Sequence, residues 1–249
     1  MALCFALAGT GDVLAADERR TGFDDMRPEL QAMQTDEMAN PGRFWVLDGE
    51  RLYGAAAGRT GQSCQGCHGP AQTAMAGVAA RYPAWDEAGA TPVDLSGRIN
   101  LCRTRHQDAE PLARESDAML SLTSFVTLQS HGMPIEPDPD PRLAPARAEG
   151  EASFFRRVGQ LNLACSHCHD DHAGGRLLAA KIPEAHPTGY PQYRLQWETM
   201  GSLHRRFGNC LSGVRAEVPA AGAPSLIALE LYLKSRAAGL TVEAYPIRP

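Results

Sequence analysis

The chain has 249 residues, a formal charge of −5, and 43% apolar but only 6% aromatic side chains. That length admits one large or two small domains of about 100–200 residues each. The acidic balance without a basic run excludes a nucleic-acid-binding footprint, and no stretch reaches the roughly 18 apolar residues of a membrane span.

In chain order, residues 1–16 are mostly small and apolar, and Val13-Leu14-Ala15 has the pattern of an export cleavage site. A signal-peptide remnant is expected there, and with it a periplasmic location. Cys4 lies inside this piece and is given no role.

Six of the seven cysteines follow two rules of spacing. Four of them form Cys64-Gln65-Gly66-Cys67-His68 and Cys165-Ser166-His167-Cys168-His169. C-x-x-C-H is the attachment signature of c-type haem. Two thiols at that spacing add to the two vinyl groups of one haem, and the following histidine places its imidazole under the iron. A zinc site, a thioredoxin-like redox pair and small disulfide rings are the competing readings. The His beside the second Cys is poorly placed for tetrahedral zinc, and the βαβ context of a redox pair is absent. The expected cofactors are therefore two covalently bound haem c groups, on Cys64 and Cys67 and on Cys165 and Cys168. His68 and His169 are the expected iron ligands.

Cys102 and Cys210 each follow a haem motif at a similar distance, and each precedes an amphipathic segment. After Cys102, Leu122, Phe125 and Val126 recur at helical spacing; after Cys210, Leu226, Leu229 and Leu233 do so. Trp45-x3-Gly49 and Phe155-x3-Gly159 look like matching helix segments upstream. The chain reads as a duplication of helix, haem motif, loop, cysteine and closing helix. Its boundary is the stretch from Pro134 to Pro145, rich in Pro and Asp. The expected fold is all-α: two tandem cytochrome c-like domains with long loops, over residues 17–145 and 146–249.

Each iron of an electron carrier needs a second axial ligand. Cys102 and Cys210 are the expected ones. Met133, in Gly132-Met133-Pro134, rivals Cys102, and Met200 lies in an apparent helical run before Cys210. A Cys102–Cys210 disulfide or buried inert thiols are the alternatives. Arg205, Arg206 and Arg215 flank Cys210 in sequence, where cations favour thiolate and guanidinium forks suit a dianion. They also suit haem propionates. The remaining histidines, His106, His131, His167, His172, His186 and His204, read as surface or structural residues.

Asn100-Leu101-Cys102-Arg103, Gln160-Leu161-Asn162-Leu163-Ala164-Cys165, Arg205-Arg206-Phe207-Gly208-Asn209-Cys210, Val214-Arg215-Ala216, Leu229-Glu230-Leu231-Tyr232-Leu233 and Tyr245-Pro246-Ile247-Arg248 together resemble SoxA, the larger cytochrome subunit of the SoxAX complex of bacterial thiosulfate oxidation. Because the first haem motif is kept, the chain is similar to the dihaem branch. The resemblance implies an L-cysteine S-thiosulfotransferase that couples thiosulfate oxidatively to a cysteine of the carrier SoxYZ, releasing two electrons. It implies the monohaem cytochrome SoxX as partner. It implies Cys210, as a persulfide, as the catalytic group with Arg206 beside it; Arg206 and Arg215 are the expected substrate contacts on the charge argument above. A dihaem electron carrier without substrate chemistry and a dihaem peroxidase are the other readings.

Overall fold

The computed structural model describes residues 17–249 apart from Ala179; the export segment and Cys4 lie outside the described residues. The chain runs through α1 (Pro28–Thr35), α2 (Arg43–Gly54), α3 (Cys64–His68), α4 (Ala71–Ala74), α5 (Val78–Arg81), β1 (Ala84–Asp86), β2 (Thr91–Val93), α6 (Leu95–Cys102) and α7 (Asp117–Leu128). Beyond a tight turn at Pro141–Leu143 come α8 (Ala144–Phe155), α9 (Cys165–His169), β3 (Arg176–Leu177), β4 (Ala180–Lys181), β5 (Gln192–Arg194), β6 (Thr199–Gly201), α10 (Leu203–Gly213), α11 (Pro224–Arg236) and β7 (Ile247–Arg248). Among the described residues no helix is long and apolar enough to cross a membrane.

Local chemistry starts these helices where they start. Ser63, Asp94, Ser116 and Ser202 each accept an orphan N–H of the first turn, from Gly66, Gly97, Met119 and Arg205. Pro224 opens α11 at the position where a missing N–H costs nothing.

Two crossed helix pairs form the frame. α2 packs on α7 and α8 packs on α11. Val46, Tyr53, Leu122 and Phe125 fill the first crossing; Phe154, Leu226, Leu229 and Leu233 fill the second, together with Leu203 and Phe207 from α10. Each such side chain contributes about 1.5–3 kcal/mol on burial. A glycine sits at each crossing. A Cβ on Gly49 would come within 2.1 Å of the Ser121 carbonyl, and one on Gly150 within 1.9 Å of that of Ala228. The repeat thus aligns Gly49 with Gly150, correcting the expected match of Gly49 to Gly159. Gly159 instead matches Gly58. Both have positive φ, +69° and +62°, and both lie hard against the backbone that follows α10 or α6.

The chain is mostly helical, but not purely so. β1–β2 and β5–β6 are antiparallel hairpins, Asp86 opposite Thr91 and Arg194 opposite Thr199. A third small hairpin joins β3 to β4. The expected all-α class missed them because strands of two or three residues are too short to show alternation. The run around Met200, read as helical, is the β5–β6 hairpin. Met200 is fully buried on β6, opposite Tyr193.

One sequence offset relates Tyr82, Asp86, Ala90, Arg98 and Cys102 to Tyr190, Arg194, Glu198, Arg206 and Cys210. The geometry follows it. Tyr82-Pro83 and Tyr190-Pro191 are both cis, and Ala90 and Glu198 both have positive φ.

The Pro134–Pro145 stretch is pinned rather than free. Ile135 and Leu143 are buried, and Ile135 exchanges backbone hydrogen bonds with Leu240 and Gly239. Segments from either side also cross the expected boundary. β7 pairs in parallel with β5, and Gln34 of α1 accepts the Ile247 N–H at 3.0 Å.

Candidate functional site

The two C-x-x-C-H motifs form short helices, α3 and α9, and all four of their cysteines are unpaired. Cys64 packs against the first core, while Cys67 and His68 are exposed. Cys165 packs against the second core and borders a cavity of about 580 Å³ lined by Val158, Gly159, Leu211, Leu226 and Leu229. Its wall is part apolar and part charged, with Arg156, Arg215 and Glu217 beside the leucines, and of the second motif only Cys165 lines it. His169 donates from Nδ1 to the Pro183 carbonyl at 2.7 Å. This fixes its tautomer and leaves Nε2 as a lone-pair donor, the arrangement that an iron-ligating imidazole requires. The residues therefore fit a covalent haem.

Each distal cysteine sits near the end of the helix after its hairpin, on the side of its own motif. Cys102 lies near Cys67, and the Cys210 thiol is within hydrogen-bond reach of His169. Beyond Cys102 the helix loosens into a π-helical turn, Arg103–Gln107, a feature common at functional positions; α10 runs on past Cys210 without one. Met133 lies elsewhere. Its backbone pairs with Ser130 and Val242, and its sulfur lies near Gly77.

The two cysteines differ most in their charged surroundings. At Cys102 the cations are already used. Arg98 binds Asp86 at 2.8 Å, and Arg105 grips both oxygens of the same carboxylate at 2.8 Å each. Those bonds, Arg105 foremost, hold the Asp86 carboxyl far below the usual range. Burial pushes the Cys102 thiol up, and the two guanidiniums oppose it only in part because Asp86 stands among them.

At Cys210 the balance reverses. Burial alone would raise the thiol, but the neighbouring His169 and the cations Arg206 and Arg194 outweigh it, so the free Cys210 thiol is held below the ordinary thiol range. Arg206 sits one helical turn before Cys210, on the same face of α10. Among the described residues neither Arg206 nor Arg194 forms an ion pair. The Arg194 Nε is buried without a hydrogen-bond partner.

The structure sorts the expected arginines. Arg206 is at Cys210. Arg205 turns to the Trp197 ring, 4.3 Å from its centroid. Arg215 lines the cavity beside Cys165, with a φ of +57°. Arg194, absent from the expected site, takes the second cationic place. Its signal in the sequence is the shared offset with Asp86.

One further cluster lies between the two halves. Asp94, His204 and Glu230 bring ligand atoms within 4.8 Å of one another. The Gly222 N–H donates to His204 Nδ1 at 2.9 Å, so the ring proton belongs on Nε2, which faces Glu230 at 3.2 Å. Asp94 is paired with Arg114. That arrangement suits shared protons and leaves no imidazole lone pair for a metal.

The SoxA/TsdA cytochrome c domain model matches residues 48–135. The L-cysteine S-thiosulfotransferase subunit SoxA of Pseudaminobacter salicylatoxidans is 36% identical over 93% of this chain and 82% of its own length. That of Paracoccus pantotrophus is 35% identical over 87% and 74%. The crystal structure of SoxXA from P. pantotrophus superposes with a TM-score of 0.88 at 32% identity, covering 93% of this chain and 87% of that one. With that identity across nearly its whole length, the chain belongs to the SoxA family of cytochromes with covalently bound haem c.

Proposed function

We propose that the chain is the catalytic subunit of an L-cysteine S-thiosulfotransferase. It carries one haem c in residues 17–145 and a second in residues 146–249, and the chemistry takes place at Cys210. The relatives' enzyme name supports the reaction. The observation that carries the site assignment is the contrast in charge. Cys102 is surrounded by arginines neutralised on Asp86, whereas Cys210 faces Arg206 with no carboxylate between them.

The residues divide the work. Arg206 attracts the thiosulfate dianion with a fork that point charges do not match. Cys210 supplies thiolate, the reactive form of sulfur, beside it, and the cations Arg206 and Arg194 favour that anion. Haem, when bound, supplies a one-electron acceptor next to the reacting sulfur. Cys64, Cys67, Cys165 and Cys168 hold the two haems covalently, with His68 and Cys102, and His169 and Cys210, at the irons. Overall, thiosulfate and a carrier cysteine thiol give cysteine S-thiosulfonate, one proton and two electrons. The bond formed joins the outer sulfur of thiosulfate to the carrier sulfur, and the thiol proton goes to solvent.

A carrier of the SoxYZ type is the acceptor in this reading. A monohaem cytochrome of the SoxX type is the partner, which the likeness to a SoxXA structure supports. The apolar start of the sequence supports a periplasmic location. The test is thiosulfate-dependent cytochrome reduction by the purified complex, with and without the carrier. Reduction that requires the carrier, with carrier mass rising by one thiosulfonate group, is expected; reduction indifferent to the carrier overturns the reading.

A further inference from the structure

In the first repeat, Asp86 at the end of β1 is the carboxylate on which Arg98 and Arg105 close. The same offset that carries Cys102 to Cys210 carries Arg98 to Arg206, and it carries Asp86 to Arg194 at the end of β5. The hairpins share register, turn conformation and flanking Tyr–Pro bond. The duplicated geometry is therefore preserved while one charge has been reversed. What was an arginine against an aspartate is now an arginine against an arginine, and the third partner, Arg105, has become Gly213.

Two guanidiniums close enough to feel each other without a counter-charge are unfavourable unless something anionic joins them. The strain is visible at Arg194: burial lowers its proton affinity, and the neighbouring Arg206 lowers it further. Arg194 is also preset for binding. Its guanidinium lies over the Trp197 ring, 5.3 Å from the centroid, which orients the plane and leaves its edge for hydrogen bonds. Its Nε is buried and unused.

We propose that Arg194 is the second arm of the substrate site: with Arg206 it grips the sulfonate end of thiosulfate, in the place where the first repeat keeps the Asp86 carboxylate. This rests on the thiosulfate reading of the Cys210 site. It explains why one repeat does chemistry and the other does not. The carboxylate built into the first repeat occupies the space and charge that an incoming dianion needs, and the second repeat leaves that place to the substrate.

The test uses the holo complex with its small cytochrome partner, in three variants. Arg194→Gln removes the charge, Arg194→Lys keeps it without the fork, and Arg194→Asp copies the first repeat. The readouts are KM and kcat for thiosulfate, KM for the carrier, calorimetric binding of thiosulfate to the oxidised complex, and the haem spectrum. Losing a charge-assisted contact predicts thiosulfate affinity and KM worse by roughly ten- to a hundredfold in Arg194→Gln. Partial recovery is expected in Arg194→Lys and no measurable binding in Arg194→Asp, with carrier KM and haem spectrum unchanged throughout. Wild-type thiosulfate binding in Arg194→Gln overturns the proposal. So does a shifted haem spectrum with unchanged binding, which would assign Arg194 to a haem propionate. Calorimetry separates this inference from the reaction itself: a wild-type complex that binds thiosulfate through Arg194 but conjugates nothing to the carrier sinks the transferase reading and leaves the anion site standing.

Discussion

Gly49 of α2 lies against the backbone carbonyl of Ser121 in α7, so close that a Cβ would stop 2.1 Å from the oxygen. The two helices cross backbone to backbone there, and the only residue that permits it has no side chain. Gly49→Ala gains about 1 kcal/mol of helix propensity. It must push the helices apart, and overpacking of a fitted core costs about 1–3 kcal/mol or more. Net loss is expected, with the unfolding midpoint of the holoprotein lowered by several degrees. Gly150→Ala, facing Ala228, should behave alike. A calorimetric scan showing either variant more stable than wild type contradicts the crossing.

Haem stoichiometry checks the two attachment sites. Cys64→Ala and Cys165→Ala should each leave one haem per chain, because each motif has its own cysteine pair and its own histidine. A pyridine haemochrome assay that still counts two in either variant rules out the one-motif, one-haem assignment.

Cys210→Met keeps Cys165, Cys168 and the helix start at Ser202, so it should keep its haem. It replaces a thiol with a thioether, which supplies neither a thiolate nor a persulfide. Conjugation of thiosulfate to the carrier should fall to background. Turnover at the wild-type rate would make Cys210 an iron ligand and nothing more.

Asp86 sets an acid limit on the first repeat. Its folded-state pKa is depressed by Arg105 foremost, and by Gly89 N–H and Arg98 as well. A depressed carboxylate contributes stability above its unfolded pKa of about 3.9 and loses it as pH falls through the lower folded value. Asp86→Asn should therefore cost about 1–3 kcal/mol near neutral pH, and the gap to wild type should close as pH drops below about 4. Parallel stability curves for the two proteins across that range would show that the triad carries no such weight.

The attachment motifs and closing helices are legible in the sequence because each leaves a periodic or spaced pattern: C-x-x-C-H for the haems, Leu226, Leu229 and Leu233 for the buried stripe of α11. The hairpins are not, since three-residue strands such as Gln192–Arg194 have no period to read. Arg194 is hidden for the same reason, lying far from Cys210 in sequence on a segment that reads as helical. The repeat itself is blurred because the second half is longer between its motif and its hairpin. That extra length includes β3 and β4 and the Pro183 carbonyl that orients His169. Aligning Tyr82-Pro83 with Tyr190-Pro191 removes the blur and brings Asp86 opposite Arg194.

The strand that bears Arg194 is flanked on one side by β6 and on the other by β7, which follows the closing helix α11. A protein made from its N-terminus therefore has α2, α7 and the first hairpin in hand while β5 still lacks a neighbour. The second repeat is completed only when Ile247 and Arg248 dock on β5, and the same residues reach Gln34 of α1, so the last residues close both halves at once. The same edge makes the stretch around Ile247 a poor place for an inserted tag or a trimming protease, because loosening β7 loosens the strand that presents the arginine.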